Sequence, residues 1–174
     1  MHDEAWNFVA KVRPLVTSGK RIVEFGGRNV NGNVGTMFDD CLYYHAIDIR
    51  PGDGVDIVAD AATWDPGPLV QYDVVICTEV LEHAPDAEGV VANAYRVLSP
   101  GGVFIMTCAT DPRLTHSGVD GHLGLYPGEH YRNVPPDEMA VWLRPFKASR
   151  GEVLIGSDPD HGDLYVFARK GGGV

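Results

Sequence analysis

Residues 21–32, RIVEFGGRNVNG, constrain the fold more than any other part of the chain. Residues 21–25 read as a short buried strand that carries Glu24 and runs into a loop with glycines at Gly26, Gly27 and Gly32. A second strand follows at residues 43–49 and ends near Asp48, sixteen residues beyond Gly32. A strand end that offers backbone N–H groups beside glycines, with an acid on the next strand, outlines a nucleoside-binding βαβ unit. In such a unit the loop approaches the ligand and the acid takes ribose hydroxyls.

The remaining pattern extends this unit. Asp3 caps a helix whose Ala5, Val9, Val12 and Val16 share one face until Pro14 kinks or ends it. The glycine loop leads to an expected helix over 34–42. A brief third strand spans 55–59, and the two prolines in 64–70 leave room only for a short helix there. Residues 72–78, YDVVICT, form the near-continuous apolar run of a strand buried on both faces of a parallel sheet. A helix over 86–98 is broken by Ser99-Pro100-Gly101-Gly102 before a strand at 103–108. Periodicity is then lost over 110–136, a stretch long enough to predict a substrate loop or lid. A last helix starts at Pro136, and strands at 152–155 and 164–168 should pair antiparallel. Gly171-Gly172-Gly173 reads as a frayed tail, so that residues 171–174 are expected to be flexible. Strands alternating with helices predict an α/β fold with a mostly parallel sheet covered on both faces, and an antiparallel C-terminal hairpin as its one deviation.

The chain has 174 residues, the size of one domain. Its net charge of −10 argues against a surface that tracks a phosphate backbone, so a nucleic-acid substrate is not expected. It opens MHDEAW and contains no long apolar run, which predicts neither a signal peptide nor a membrane span. Cys41, Cys77 and Cys108 are odd in number, and two of them sit in apolar runs; they read as reduced core thiols of a cytoplasmic protein.

In order and spacing, VEFGGRNVNG, YHAIDIR, VADAATW, YDVVICTEVLEH and RVLSPGGVFIMT resemble the sequential motifs of the class I S-adenosylmethionine-dependent methyltransferases. The likeness covers residues 20–110 and then weakens. It implies a Rossmann-like, doubly wound, seven-stranded sheet and methyl transfer to an oxygen, nitrogen or carbon of a small molecule, with S-adenosylhomocysteine as product. It also implies roles. Gly26 and Gly27 let the backbone approach the cofactor, and Glu24 orients the loop or meets the cofactor ammonium through water. Asp48 takes the ribose hydroxyls, Asp60 and Ala61 meet the adenine edge, and Thr78 and Glu79 floor the reaction site. Asp60 reads equally well as a cap for the turn at 61–64.

The family loop is E-x-G-x-G-x-G, whereas this chain has Arg28 at the second glycine and delays the last to Gly32. Either the side chains of this loop point outward, or Arg28 reaches the cofactor carboxylate, for which a guanidinium is suited. Glu79, Glu82 and His83 resemble the E-x-x-E-H that holds a divalent metal in some O-methyltransferases, with His130 as a completing ligand. The same residues also occur without a metal, and His83 is then a general base. Glu129-His130-Tyr131-Arg132 resembles a segment placed over the acceptor, which makes His130 the second candidate for the acceptor's proton. Two other readings share these features: a nicotinamide-dependent oxidoreductase, disfavoured by the absent G-x-G-x-x-G, and a non-catalytic cofactor-binding module. Acceptor recognition is expected from the N-terminal helix (residues 1–18), the 110–136 loop and a second subunit if the protein is a homo-oligomer.

Overall fold

The computed structural model describes residues 2–172 and contains a seven-stranded sheet in the order β3-β2-β1-β4-β5-β7-β6. The strands are β1 Arg21–Phe25, β2 Tyr43–Asp48, β3 Ile57–Val58, β4 Tyr72–Thr78, β5 Leu98–Ala109, β6 Glu152–Asp158 and β7 Asp163–Arg169. The first five pair in parallel, and β7 runs antiparallel between β5 and β6, as the hairpin pattern predicts. From β1 the chain moves outward to β2 and β3, then returns to lay β4 on the other side of β1. Ligands bind where such a sheet reverses, beyond the carboxyl ends of its strands.

Alternation along the central strands explains why both faces are covered. Ile22, Val74, Ile76, Val103 and Ile105 point to one side, where Val9 and Val12 of helix α1 (Asp3–Val12) pack on them. Val23, Val75, Cys77, Phe104 and Met106 point to the other, under helix α2 (Ala87–Val97) and the pair α3 (Pro136–Trp142) and α4 (Arg144–Ala148). Pro14 ends α1 in a single tight turn, Arg13–Leu15.

Three expectations about helices need correction. The helix expected over 34–42 is only a 3-10 turn, Val34–Phe38. The Asn33 side chain ties it down by accepting from Gly35 N–H (2.6 Å), and five residues with a glycine and two β-branched side chains are too few for a cooperative α-helix. No helix forms over 64–70, where Pro66 and Pro68 leave turns. The last helix breaks in two at Leu143, ahead of Pro145. The tail is anchored at Gly171, whose N–H donates to Ser149 Oγ (2.9 Å); Gly173 and Val174 lie outside the described residues. No helix among the described residues is long and apolar enough to cross a membrane.

Candidate active site

A cavity of about 1290 Å³ opens at the carboxyl ends of β1, β2 and β4. Glu24, Gly26, Arg28, Asp48, Asp60, Ala61, Thr78, Glu79, His83 and His130 all line it; of the anticipated site residues Gly27 and Glu82 do not.

At the glycine end the polar groups are engaged. Gly26 sits at φ +79°, and a Cβ there would stand 2.1 Å from Val80 Cγ2; a Cβ on Gly27 would stand 2.6 Å from Ala46 Cβ. Both N–H groups donate to Ile47 O, at 2.7 and 2.9 Å. The two glycines therefore let the β1 exit pass close to β2 and to the turn after β4. Their N–H groups are not the free donors expected at the strand end. Glu24 is buried and accepts from Tyr44 Oη and Asn33 Nδ2, each at 2.8 Å. Burial pushes its carboxyl up to about 7, against the opposing hydrogen bonds from Tyr44 and Asn33. Asn33 Nδ2 also donates to Gly27 O (3.0 Å), so Glu24 holds the loop through Asn33. Asp48 Oδ1 accepts from Arg50 N–H (2.9 Å), and Asp60 Oδ1 caps its own turn through Ala62 N–H (2.9 Å).

Arg28 does not point freely into the cavity. Its Nη2 donates to the backbone carbonyls of Gly118 (2.9 Å) and Val119 (3.1 Å) in the long loop.

Glu79 follows β4 at φ +58°, a left-handed conformation that a non-glycine residue adopts only when its surroundings dictate it. Thr107 Oγ1 donates to its Oε1 (2.9 Å), while Oε2 lies 3.5 Å from Arg113 and 3.7 Å from His2. Arg113 also pairs with the fully buried Asp163, as does His2 (2.8 Å). Glu79 thus groups with His2 and Asp163, and Glu79, Glu82 and His83 do not come together as one set of ligand atoms. No helix forms over residues 79–83.

A second cluster forms in its place. Glu82 is fully buried with no hydrogen-bond partner on either carboxylate oxygen, and His83 Nδ1 and His130 Nε2 are likewise buried without one. Burial, followed by the nearby Glu79 charge, pushes the Glu82 carboxyl well above its ordinary range, against the backbone N–H groups of Glu82 and Ala109, which face it without reaching hydrogen-bond geometry. Burial and then His116 lower His83 to about 4, so its ring is neutral at pH 7. The His83 and His116 rings meet edge-on at 4.9 Å, and Tyr131 packs edge-on against both. Glu82, His83 and His116 each bring one ligand atom within 4.8 Å of the others.

A family model described as a methyltransferase domain matches residues 4–146. The chain belongs to this methyltransferase domain family. Over 81 residues it is 41% identical to a ubiquinone biosynthesis O-methyltransferase of Pseudomonas savastanoi pv. phaseolicola, a match spanning 42% of this chain but only 35% of that relative. In fold it is similar to CalS10, an amino pentose methyltransferase from Micromonospora echinaspora, with a TM-score of 0.66 at 17% identity over 97% of this chain and 91% of that one. It is also similar to the [4+2]-cyclase SpnF, with a TM-score of 0.69 at 14% identity over 98% of this chain and 82% of that one. A fold shared with a cyclase does not by itself assign a reaction; the site must do so.

Around the cavity of this methyltransferase domain, sequence reasoning missed His2, Arg113, His116 and Asp163. His2 precedes α1 and reaches the site only because α1 packs beside β7. Arg113 and His116 lie in the irregular loop, where no periodicity marks them. Asp163, at the first position of β7, carries no local signal beyond its charge.

Proposed function

We propose that this methyltransferase domain transfers the methyl group of S-adenosylmethionine to an oxygen, nitrogen or carbon nucleophile of a small molecule. The observation that carries the reading is one cavity at the sheet's switch point with Asp48 at the end of β2, Asp60 after β3 and Thr78–Glu79 at the end of β4 on its wall. In this reading Asp48 accepts from the ribose hydroxyls, Asp60 and Ala61 face the adenine edge, and Glu24 fixes the loop beside the methionine portion. The volume exceeds a typical ligand site of roughly 300–1,000 Å³, which leaves space for an acceptor beside a nucleoside.

In the reaction the nucleophile forms a bond to the methyl carbon as the carbon–sulfur bond breaks. S-adenosylhomocysteine leaves, and the acceptor's proton goes to a base. The protein's part is to hold nucleophile and methyl in line and to receive that proton. His83 is neutral at pH 7 and lines the cavity, which suits it to accept a hydrogen bond from the nucleophile; His130 lines the same wall. The free thiols Cys41, Cys77 and Cys108 are in keeping with a reducing, cytoplasmic setting.

S-Adenosylhomocysteine should raise the melting temperature while NAD(H) does not. Radiolabelled methyl from S-adenosylmethionine should appear in one of a panel of phenols and amines. A shift with NAD(H) alone would reject the reading in favour of an oxidoreductase, and cofactor binding with no labelled product would favour a binding module.

The orphaned Glu82 supports a second reading, in which a divalent cation sits among Glu82, His83 and His116. A carboxylate with two imidazoles suits a transition ion, which would lower the pKa of an acceptor hydroxyl when bound. Glu79, engaged by Thr107 and Arg113, has no part in this set. Cobalt(II) should then give ligand-field absorption that is lost in Glu82→Gln, and a melting shift that a chelator reverses.

A further inference from the structure

We propose that Arg28 is a positioning residue: it latches residues 117–121 of the long loop over the glycine loop and so seats Gly118 against the ring of His83. The inference rests on the S-adenosylmethionine reading and assigns Arg28 a task other than pairing with the cofactor carboxylate.

Three contacts place these residues in one chain of touch. Arg28 Nη2 donates to Gly118 O and Val119 O, which binds a single guanidinium to two consecutive carbonyls. Gly118 lies so close to His83 that a Cβ on it would stand 3.1 Å from both Cγ and Nδ1 of the ring. Gly121 lies equally close to the glycine loop, since a Cβ there would stand 2.7 Å from Asn31 Nδ2. Residues 117–121 therefore touch the glycine loop at Arg28 and Asn31 and the acceptor wall at His83.

The segment is built to present those carbonyls. Ser117 N–H donates to His122 O and Gly121 N–H to Ser117 O, each at 2.9 Å, while Val119 N–H donates to Ser117 Oγ (3.0 Å). Ser117 Oγ in turn donates to Glu129 Oε1 (3.0 Å). With the N–H groups of Ser117, Val119 and Gly121 engaged in this turn, the segment leaves Gly118 O and Val119 O to a donor from outside. Arg28 is that donor, and Gly52 gives its side chain room: a Cβ on Gly52 would stand 2.8 Å from Arg28 Cδ. A charged donor on two neutral carbonyls is stronger than a neutral pair, so the latch contributes more than an ordinary loop contact. The physical consequence is that the cofactor loop and the proton-accepting ring are not independent. Whatever fixes Arg28 fixes His83.

Two ligands separate this role from carboxylate pairing. S-Adenosylhomocysteine carries the amino-acid end, whereas 5′-methylthioadenosine lacks it. Calorimetry on Arg28→Ala should show both ligands weakened by the same factor, roughly tenfold, with partial recovery in Arg28→Lys. Loss confined to S-adenosylhomocysteine would overturn the latch in favour of carboxylate pairing, and no loss for either would overturn it outright. If wild type binds neither ligand, the cofactor reading itself fails; if it binds both and the pattern differs, only the latch fails. A ligand-free measurement gives a second check. In Arg28→Ala the amides of Val119 and Gly121 should exchange faster with solvent, and the ring-proton chemical shifts of His83, followed by NMR at fixed pH, should move as Gly118 leaves the ring. Unchanged exchange and unmoved His83 ring shifts would refute the coupling. Should Arg28→Ala fold poorly, Gly118→Ala keeps the arginine and presses a methyl on the His83 ring; it should move the same ring-proton shifts, and unmoved shifts would count against the proposal.

Discussion

The two ends of the cavity differ in how their polar groups are satisfied. Around the glycine loop, Glu24, Asp48 and Asp60 each have a hydrogen-bond partner within the protein. Around His83, both carboxylate oxygens of Glu82 and one nitrogen each of His83 and His130 are buried without one. Folded proteins leave few such groups, because each costs about 1–3 kcal/mol. The difference teaches that the first end is a finished frame, organised before any ligand arrives. The second end is incomplete on its own, and an acceptor, a proton or an ion completes it.

The most demanding test of this contrast is chemical. His83→Asn should lower kcat by about 100-fold or more, the usual scale for losing a general base, while S-adenosylhomocysteine still binds. The wild-type rate should show no His83 limb near pH 6.5, because burial holds that ring neutral down to about 4. A limb at the ordinary histidine value would place a different histidine in the role.

The next test addresses the finished end. The folded pKa of Glu24 is about 7, above the ordinary 4.5, so the fold favours the protonated carboxyl. Its stabilisation is complete below pH 4.5, declines as the pH rises, and is lost above 7, a swing of about 3 kcal/mol. Glu24→Gln cannot ionise. Its urea midpoint relative to wild type should therefore rise between pH 5 and pH 8 in the absence of ligand. A constant difference across that range would mean that Asn33 and Tyr44 keep Glu24 ionised throughout.

The smallest effect is expected at the unfinished end. Glu82→Leu removes an unpartnered buried carboxyl and should raise stability by about 1 kcal/mol in chelator-treated protein. If the gain turns to a loss when a divalent cation is added, the cation completes that end; a loss under both conditions would show that Glu82 has a partner after all.

The sheet was legible because alternation and burial leave a period in the sequence. Residues 21–25, 43–49 and 72–78 read as strands directly, and the hairpin was visible from two apolar runs around the turn-rich 157–162. The helix over 34–42 was misread because its apolar spacing is real but its length falls short of what an α-helix needs. The anticipated cofactor residues other than Gly27 came to one cavity because strand order carries them there. The roles within it were less legible. Gly26 and Gly27 are glycines for the sake of Val80 and Ala46, contacts between segments far apart in the chain.

By itself the sequence determined the alternating α/β order, the family, and the positions of Glu24, Asp48, Asp60 and Glu79 at strand ends, since these depend on local period and on motif spacing. Only the tertiary structure decided which charged groups meet. It set Arg28 on the long loop, turned Glu79 toward Arg113 and His2, and brought His116 rather than Glu79 to Glu82 and His83. The reason is physical: hydrogen bonds and ion pairs between distant segments depend on where the packed sheet delivers its loops, and an irregular loop carries no period from which that delivery can be read.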